Sequence, residues 1–292
     1  MGIVTSCGPA IRPVTPPPEP QGSPAPPRAA AAEPVRPGRR ILVGEMCPLG
    51  AAGRPSLAPL LLRGVQWTDE PAEVGAAISH GEATRFTVFG VDGKRAGVFE
   101  ALGLAEVGLP QVVAAGSYAG AGPCTRAGAS SVRLEEPACQ PATRGCGIAV
   151  AALGDKVDTW EWKAGGACTS GDVLAIDVDG DGVVEAFPIA GLLDAVRGPA
   201  ESLEARAQAV TCAPSFAVFG LRIAPPPENG KAADPRYVVL VDVLAVVDFD
   251  DDGRREVVLG LRYPDQRTIA IYGAGESPST LQLIGEATSW VR

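Results

Sequence analysis

Across 292 residues there is one histidine, and the seven cysteines form no C-x-x-C pair. Zinc centres and dithiol redox motifs need those side chains at close spacing, so neither is expected here. Lysine is scarce and no Lys/Arg-rich block or basic stripe occurs, which argues against nucleic acid as a partner. There is no run of about twenty apolar residues, so no transmembrane helix is expected. No G-x-S-x-G motif is present, and residues 116–122 (GSYAGAG) lack the Gly-Lys-Ser/Thr of a phosphate loop, so they read as a flexible turn. His80, within Ser79-His80-Gly81-Glu82, has no nucleophile beside it and reads as a surface or capping residue.

What the chain does have is acidity in two places. The formal net charge is −9. Residues 177–185 (DVDGDGVVE) contribute −4 and residues 248–256 (DFDDDGRRE) contribute −3, so the remainder is close to neutral. Diffuse acidity would speak only of solubility, whereas acidity concentrated in two short loops points to cation sites. With 46% apolar residues, 36 glycines and 28 prolines, the chain can bury a full core and is rich in turns.

Cys7 stands apart from the other cysteines. Val4-Thr5-Ser6-Cys7 resembles the lipobox at which bacterial lipoproteins are cleaved and acylated. Such a leader also needs a basic start and an apolar stretch, and only Met1-Gly2-Ile3 precede the motif, so the reading expects the true start codon upstream of Met1. The alternative is an exposed cysteine in a disordered tail. Residues 8–40 are rich in Pro and Ala without apolar periodicity, as expected of a tether. Together these features suggest an outer-membrane or periplasmic lipoprotein anchored through Cys7. Cys47, Cys124, Cys139, Cys146, Cys168 and Cys212 then remain, an even number compatible with three disulfides in an oxidising compartment.

Ordered structure is expected from about Ile41, giving a tether over 1–40 and a β-rich domain over 41–292 with a sub-boundary near 148. Residues 57–62 form a short apolar run ahead of Trp67, and residues 85–102 read as a hairpin around Asp92-Gly93. Residues 114–147, glycine-rich with three cysteines, read as a stapled loop. Strands are expected within 148–162 and at 173–176, 216–223, 237–247, 257–263, 268–272 and 281–286. Residues 191–209 (GLLDAVRGPAESLEARAQA) give the best helical pattern, two short helices broken at Gly198-Pro199. Trp160 and Trp162 alternate on one strand face; they read as packing residues, or less simply as a platform for a sugar or peptide.

The two acidic loops share D-x-D-x-D-G-x-x-E between apolar runs: LAIDVDGDGVVEAFPIAG over 174–191 and AVVDFDDDGRREVVLGLR over 245–262. Carboxylates at alternate positions converge on one point, glycine at the sixth position permits the sharp turn, and a carbonyl at the seventh and an acid at the ninth complete an oxygen shell. This assigns Asp177, Asp179, Asp181, the Val183 carbonyl and Glu185 to one site. Asp248, Asp250, Asp252, the Arg254 carbonyl and Glu256 form the second. Hard oxygen donors in such number suit Ca2+ better than Mg2+. At ordinary residue frequencies the pattern arises roughly once per million positions, so its repetition argues against two solvated turns.

Pro188 and Leu259 occupy the twelfth loop positions, unlike the terminal acid of EF-hands and dockerins. The loops instead resemble the FG-GAP/VCBS-type repeat, in which a calcium loop joins two strands of a propeller blade, as in integrin α chains. Glu256-Val257-Val258-Leu259-Gly260 follows that family's pattern of an acid, apolar residues and Gly. After the first loop only Glu185 does, and Phe219-Gly220 lies further upstream of Asp248 than the family's spacing. The resemblance implies a mainly β fold of calcium-braced modules like propeller blades, which the helical pattern at 191–209 would interrupt as a short insertion. A closed seven-bladed propeller needs more residues than follow the tether. The function expected is that of a non-enzymatic, extracytoplasmic module presenting loops to a protein or glycan ligand. The alternative is a secreted hydrolase with structural calcium, drawing its carboxylates from Asp155, Asp158, Glu161 or Asp242.

Overall fold

The computed structural model describes residues 40–47, 54–90, 94–105, 112–120, 147–153, 163–165, 167–170, 173–188, 193–194, 198–207, 210, 221–223, 239–249, 252–263, 266–277 and 279–290. Residues 36–292 form one compact unit. In chain order, β1 (Ile41–Cys47), β2 (Ser56–Arg63) and β3 (Trp67–Thr68) lead to helix α1 (Pro71–Ser79). Strands β4 (Arg85–Phe89), β5 (Arg95–Ala105), β6 (Val113–Gly120) and β7 (Ile148–Ala152) follow. Strand order β1-β7-β4-β5-β6-β2 closes on itself because β1 also pairs with β2, so six antiparallel strands form a barrel, with β3 on the far side of β2. Closure satisfies the strand edges that an open sheet leaves exposed.

Side-chain alternation separates the inside of this barrel from its outside. Leu42, Met46, Leu57, Leu62, Phe86, Val88, Phe99, Ala114, Ala149 and Ala151, drawn from all six strands, form one buried cluster. Val74, Ala77 and Ile78 of α1 join it, so the helix packs its apolar stripe onto the barrel core. Pro71 at the helix start and Glu73 in the first turn favour this N-terminus. His80 caps the other end: its backbone N–H donates to the Ala76 carbonyl, and the N–H of Gly81, at φ 77°, donates to the Ile78 carbonyl.

Strands β8 (Lys163–Gly165), β9 (Ala167–Ser170), β10 (Val173–Ile176) and β11 (Glu185–Pro188) come next, then the short β12 (Leu193–Asp194), β13 (Gly198–Pro199) and β14 (Ser202–Glu204). The chain ends with β15 (Leu221–Ile223), β16 (Val239–Asp248), β17 (Glu256–Arg262), β18 (Gln266–Ala274) and β19 (Thr280–Trp290). An open sheet of order β14-β19-β18-β17-β16-β15 lies at the centre, with β8 also paired to β16, while β9, β10 and β11 form a separate three-stranded sheet. Val257, Leu259, Leu261, Ala270 and Tyr272 bury one face of the central sheet with Leu174, Ile176 and Phe187 of the small sheet. Val258, Ile269 and Ile271 bury the other face against Ile41, Val43, Ile148 and Val150 on the barrel exterior. Burial on both faces explains why β17 reads as an unbroken apolar run.

Charge is buried at the barrel–sheet junction. Glu45 points outward from β1 with the same parity as Ile41 and Val43 and is fully buried. It pairs with Arg262 of β17, and its Oε1 accepts a hydrogen bond from Arg267 of β18 at 2.8 Å. Arg262 and Arg267 are direct cross-strand partners, and both are buried. Burial pulls the Arg267 guanidinium down to about 10, against the pull of Glu45 in the other direction; buried Asp242 adds a smaller attraction. Arg267 therefore stays charged at neutral pH. Gly260 leaves room for this, since a Cβ there would lie 2.6 Å from an Arg262 guanidinium nitrogen.

The fold departs from the sequence reading in three places. Residues 191–209, expected as helices, instead contain β12, β13 and β14. Helical preference there is worth only a few tenths of a kcal/mol per residue, less than burying Leu203 while β14 pairs along β19. The helix among the described residues is α1. Residues 114–120, read as part of a loop and a flexible turn, form β6, because glycines let it press onto β5: a Cβ on Gly116 would lie 2.1 Å from the Glu100 carbonyl oxygen. The sequence also gave no hint of barrel closure. The hairpin over 85–102 is β4–β5, and among the described residues strands overlap the stretches expected at 173–176, 216–223, 237–247, 257–263, 268–272 and 281–286. Residues 121–146 and 154–162, with Trp160 and Trp162, and Phe219-Gly220 lie outside the described residues.

Two stability predictions follow from this packing. Glu45→Gln leaves the two guanidinium groups facing each other with Asp242 as the nearby acid, and the urea midpoint should fall by the equivalent of about 3–5 kcal/mol; a loss below about 1 kcal/mol would remove Glu45 as the junction's organiser. Gly116→Ala should cost about 1–3 kcal/mol by overpacking, whereas Gly64→Ala, with nothing within 4 Å of the new methyl, should leave the same unfolding curve in place.

Candidate metal centre

Each acidic loop closes a hairpin. The ladder pair Ile176↔Glu185 ties the ends of the first loop between β10 and β11, and Val247↔Glu256 ties the second between β16 and β17. At the second loop position an apolar side chain anchors the turn into the core: Val178 is 1% exposed and Phe249 is 0% exposed. Phe249 also meets Trp67 of β3 edge to face at 5.8 Å. The glycine at the sixth position takes the same left-handed conformation in both loops, Gly182 at φ 88° and Gly253 at φ 91°.

In the first loop Asp177, Asp179 and Glu185 come together, each offering a carboxylate oxygen within 4.8 Å of the others. This cluster could hold a metal ion. Its backbone is shaped by side chains of the motif itself: Asp177 Oδ1 accepts the Gly180 N–H at 2.6 Å, Asp179 Oδ1 accepts the Asp181 N–H at 3.2 Å, and Glu185 Oε2 accepts the Val178 N–H at 2.8 Å. Asp181 stands outside the three-acid cluster, its Oδ1 accepting the Val183 N–H at 2.6 Å, and Val183 is 63% exposed. Burial raises the Glu185 carboxyl above its ordinary value, the Asp179 and Asp177 charges push it the same way, and the Val178 N–H opposes them.

The second loop repeats much of this geometry. Glu256 Oε2 accepts the Phe249 N–H at 2.8 Å, as Glu185 does for Val178. Asp252 Oδ1 accepts the Arg254 N–H at 2.7 Å, as Asp181 does for Val183. Asp248 Oδ2 accepts the Gly253 N–H at 3.1 Å. Asp248 and Glu256 are buried and Asp252 is exposed, while Asp250 lies outside the described residues.

Sequence reasoning missed one residue of the site. Arg255, counted only as a charge in the second loop, reaches the first: its guanidinium donates to the Asp177 carbonyl at 2.6 Å and lies 3.2 Å from Asp177 Oδ2. Its backbone N–H donates to the Val178 carbonyl at 2.7 Å. The available signal was a pair of arginines inside an otherwise acidic loop. Of the acids named for a hydrolase, Asp242 is buried in β16 near Arg267, and Asp155, Asp158 and Glu161 lie outside the described residues.

Comparison of the chain with family models, curated proteins and solved structures finds no match. Its own geometry therefore defines its class: a mainly β protein with a six-stranded barrel, open sheets and an acidic hairpin loop able to hold a metal ion.

The ninth-position acids carry a structural load apart from any cation. In chelator, Glu256→Ala should destabilise the protein by about 1–3 kcal/mol, because it removes the acceptor of a buried N–H. Glu185→Ala, whose bond is only partly buried, should cost less by chemical denaturation; equal losses would contradict this assignment.

Proposed function

We propose that this chain is a non-enzymatic, extracytoplasmic calcium-binding β-protein, serving as a surface interaction or structural module. The observation that carries the reading is the convergence of Asp177, Asp179 and Glu185 at the end of the β10–β11 hairpin. Three carboxylates at that separation repel one another, and a hard divalent cation is the partner that their oxygens suit. Calcium would be held by Asp177, Asp179 and Glu185, with Asp181 and the Val183 carbonyl completing the shell. A second ion would be held by Asp248, Asp250, Asp252, the Arg254 carbonyl and Glu256. Neutralised loops would then stand fixed beside the sheets as a surface for a protein or glycan ligand.

Kinship with FG-GAP/VCBS-type repeats is supported by the placement of both loops between paired strands and by Gly260 in the strand that follows the second. Export is supported by Cys47, a disulfide-bonded residue at the end of β1. Among the described residues no helix is long and apolar enough to cross a membrane. A lipid on Cys7 would supply the attachment that this reading gives the protein.

The test is thermal unfolding in chelator and in calcium. With calcium about 100-fold above its Kd, each site contributes about 2.7 kcal/mol, or about 5–10 °C for a domain of this size. The double variant Asp179→Ala with Asp250→Ala should lose that shift. Identical melting of the unaltered protein in both solutions would overturn the reading.

A further inference from the structure

The acidic loops carry three Asp-Gly peptide bonds among the described residues: Asp179-Gly180 and Asp181-Gly182 in the first, and Asp252-Gly253 in the second. An aspartyl carboxyl can be attacked by the amide nitrogen of the residue that follows it. Glycine is the follower that hinders this least, having no side chain and a freely turning backbone. All three acids are exposed and hold the same pose. Asp179 Oδ1 accepts the Asp181 N–H at 3.2 Å, Asp181 Oδ1 the Val183 N–H at 2.6 Å and Asp252 Oδ1 the Arg254 N–H at 2.7 Å. Each is an Asx turn, which folds the carboxyl back over the intervening glycine. The carboxyl therefore does not distinguish the three.

The nitrogen does. The Gly180 N–H donates to Asp177 Oδ1 at 2.6 Å, and the Gly253 N–H donates to Asp248 Oδ2 at 3.1 Å. Hydrogen bonds to an ionised acceptor are the stronger kind, and each must break before its nitrogen can turn toward a carboxyl carbon. The Gly182 N–H donates to no acceptor among the described residues. There is also room around it: nothing lies within 4 Å of where a Cβ on Gly182 would stand, whereas at Gly180 the Arg255 guanidinium comes within 3.2 Å. Gly253 has the same open space as Gly182, so the hydrogen bond is what separates those two.

We infer that Asp181-Gly182 is a site of spontaneous backbone modification, at which Asp181 converts to isoaspartate. The Gly182 nitrogen bonds to Asp181 Cγ, the carboxyl hydroxyl leaves with the amide hydrogen as water, and a five-membered imide closes. Water then adds back. Breaking the bond from nitrogen to the backbone carbonyl carbon sends the chain through Cγ and leaves isoaspartate; breaking the bond to Cγ restores aspartate. The water lost is regained, so no oxidant or reductant enters and the mass is unchanged. The product has one extra backbone carbon inside a turn whose ends are tied by the pair Ile176↔Glu185, and it lacks the side-chain carboxyl that accepts the Val183 N–H. On the calcium reading above it would also break the alternate spacing of the ligands, but the modification itself does not depend on that reading.

The test is ageing of the full chain at physiological temperature in chelator, followed by proteolysis and electron-transfer fragmentation, which locates isoaspartate by the cleavage peculiar to its extra backbone carbon. Isoaspartate at Asp181 should accumulate about tenfold faster than at Asp179 or Asp252, the ratio that one hydrogen bond to a charged acceptor supplies. In denaturant, where those bonds are lost, the three sites should react at similar rates. Asp177→Ala frees the Gly180 N–H and should bring Asp179 up toward the rate of Asp181, with far-UV circular dichroism as the check on folding. Equal rates at the three sites of the folded, unaltered protein, or Asp252 ahead of Asp181, would overturn the inference. So would an unmodified Asp181 in the folded protein over a time in which the denatured chain reacts.

Discussion

Arg262 and Arg267 face each other across β17 and β18, and both are buried. Like charges placed directly opposite on a sheet repel, and in a dry interior the repulsion is barely screened. Glu45 resolves it from the neighbouring layer: a single carboxylate on β1 pairs with both guanidinium groups. The consequence reaches well beyond those three residues. Glu45 can do this only if β1 lies against β17 and β18 in one register, with Ile41 and Val43 turned toward the same sheet. Apolar contact alone tolerates sliding; a buried charge with defined partners does not. The barrel and the central sheet are thus locked in one relative position, and the second acidic loop hangs from two strands of that sheet.

Much of the second half was legible because its physics is local. Apolar stretches at 237–247, 257–263 and 268–272 are bounded by turn residues, and strands buried on both faces must read as continuous apolar runs. The D-x-D-x-D-G-x-x-E loops were legible for the same reason, since each constrains only nine residues. What the sequence hid was long-range. Barrel closure depends on β1 pairing with both β2 and β7, partners about a hundred residues apart, and no window of sequence contains it. The Glu45 pairings span more than two hundred positions. The misread helix at 191–209 has the same origin: Ala, Leu and Glu favour helix locally, and pairing with β19 decided otherwise.

The acidic loops show how one motif can be used unequally. Their backbones agree where the sequence agrees, with a left-handed glycine at position six and a ninth-position acid bonded to the second-position N–H. They differ in burial. Glu256 is almost wholly enclosed, with Phe249 inserted beside Trp67, while Glu185 remains half-buried among other acids. In the second loop the ninth-position acid works first as a backbone cap, which explains why that turn can hold its shape from packing and hydrogen bonding. In the first, the same acid stands among other carboxylates, and its bond to the Val178 N–H is only partly buried.

Arg255 is the protein's own partial answer to that repulsion. It places one positive charge against Asp177, yet it leaves Asp179 and Glu185 facing each other. A guanidinium is too large and too directional to serve three converging carboxylates at once, since its donors form a planar fork suited to one or two acceptors. A compact divalent ion has no such limit: it attracts every oxygen around it and requires no single plane. The division of labour follows from size and geometry. Arginine can tether the entry of the loop from outside, and the three converging oxygens at its centre could be served by a small cation.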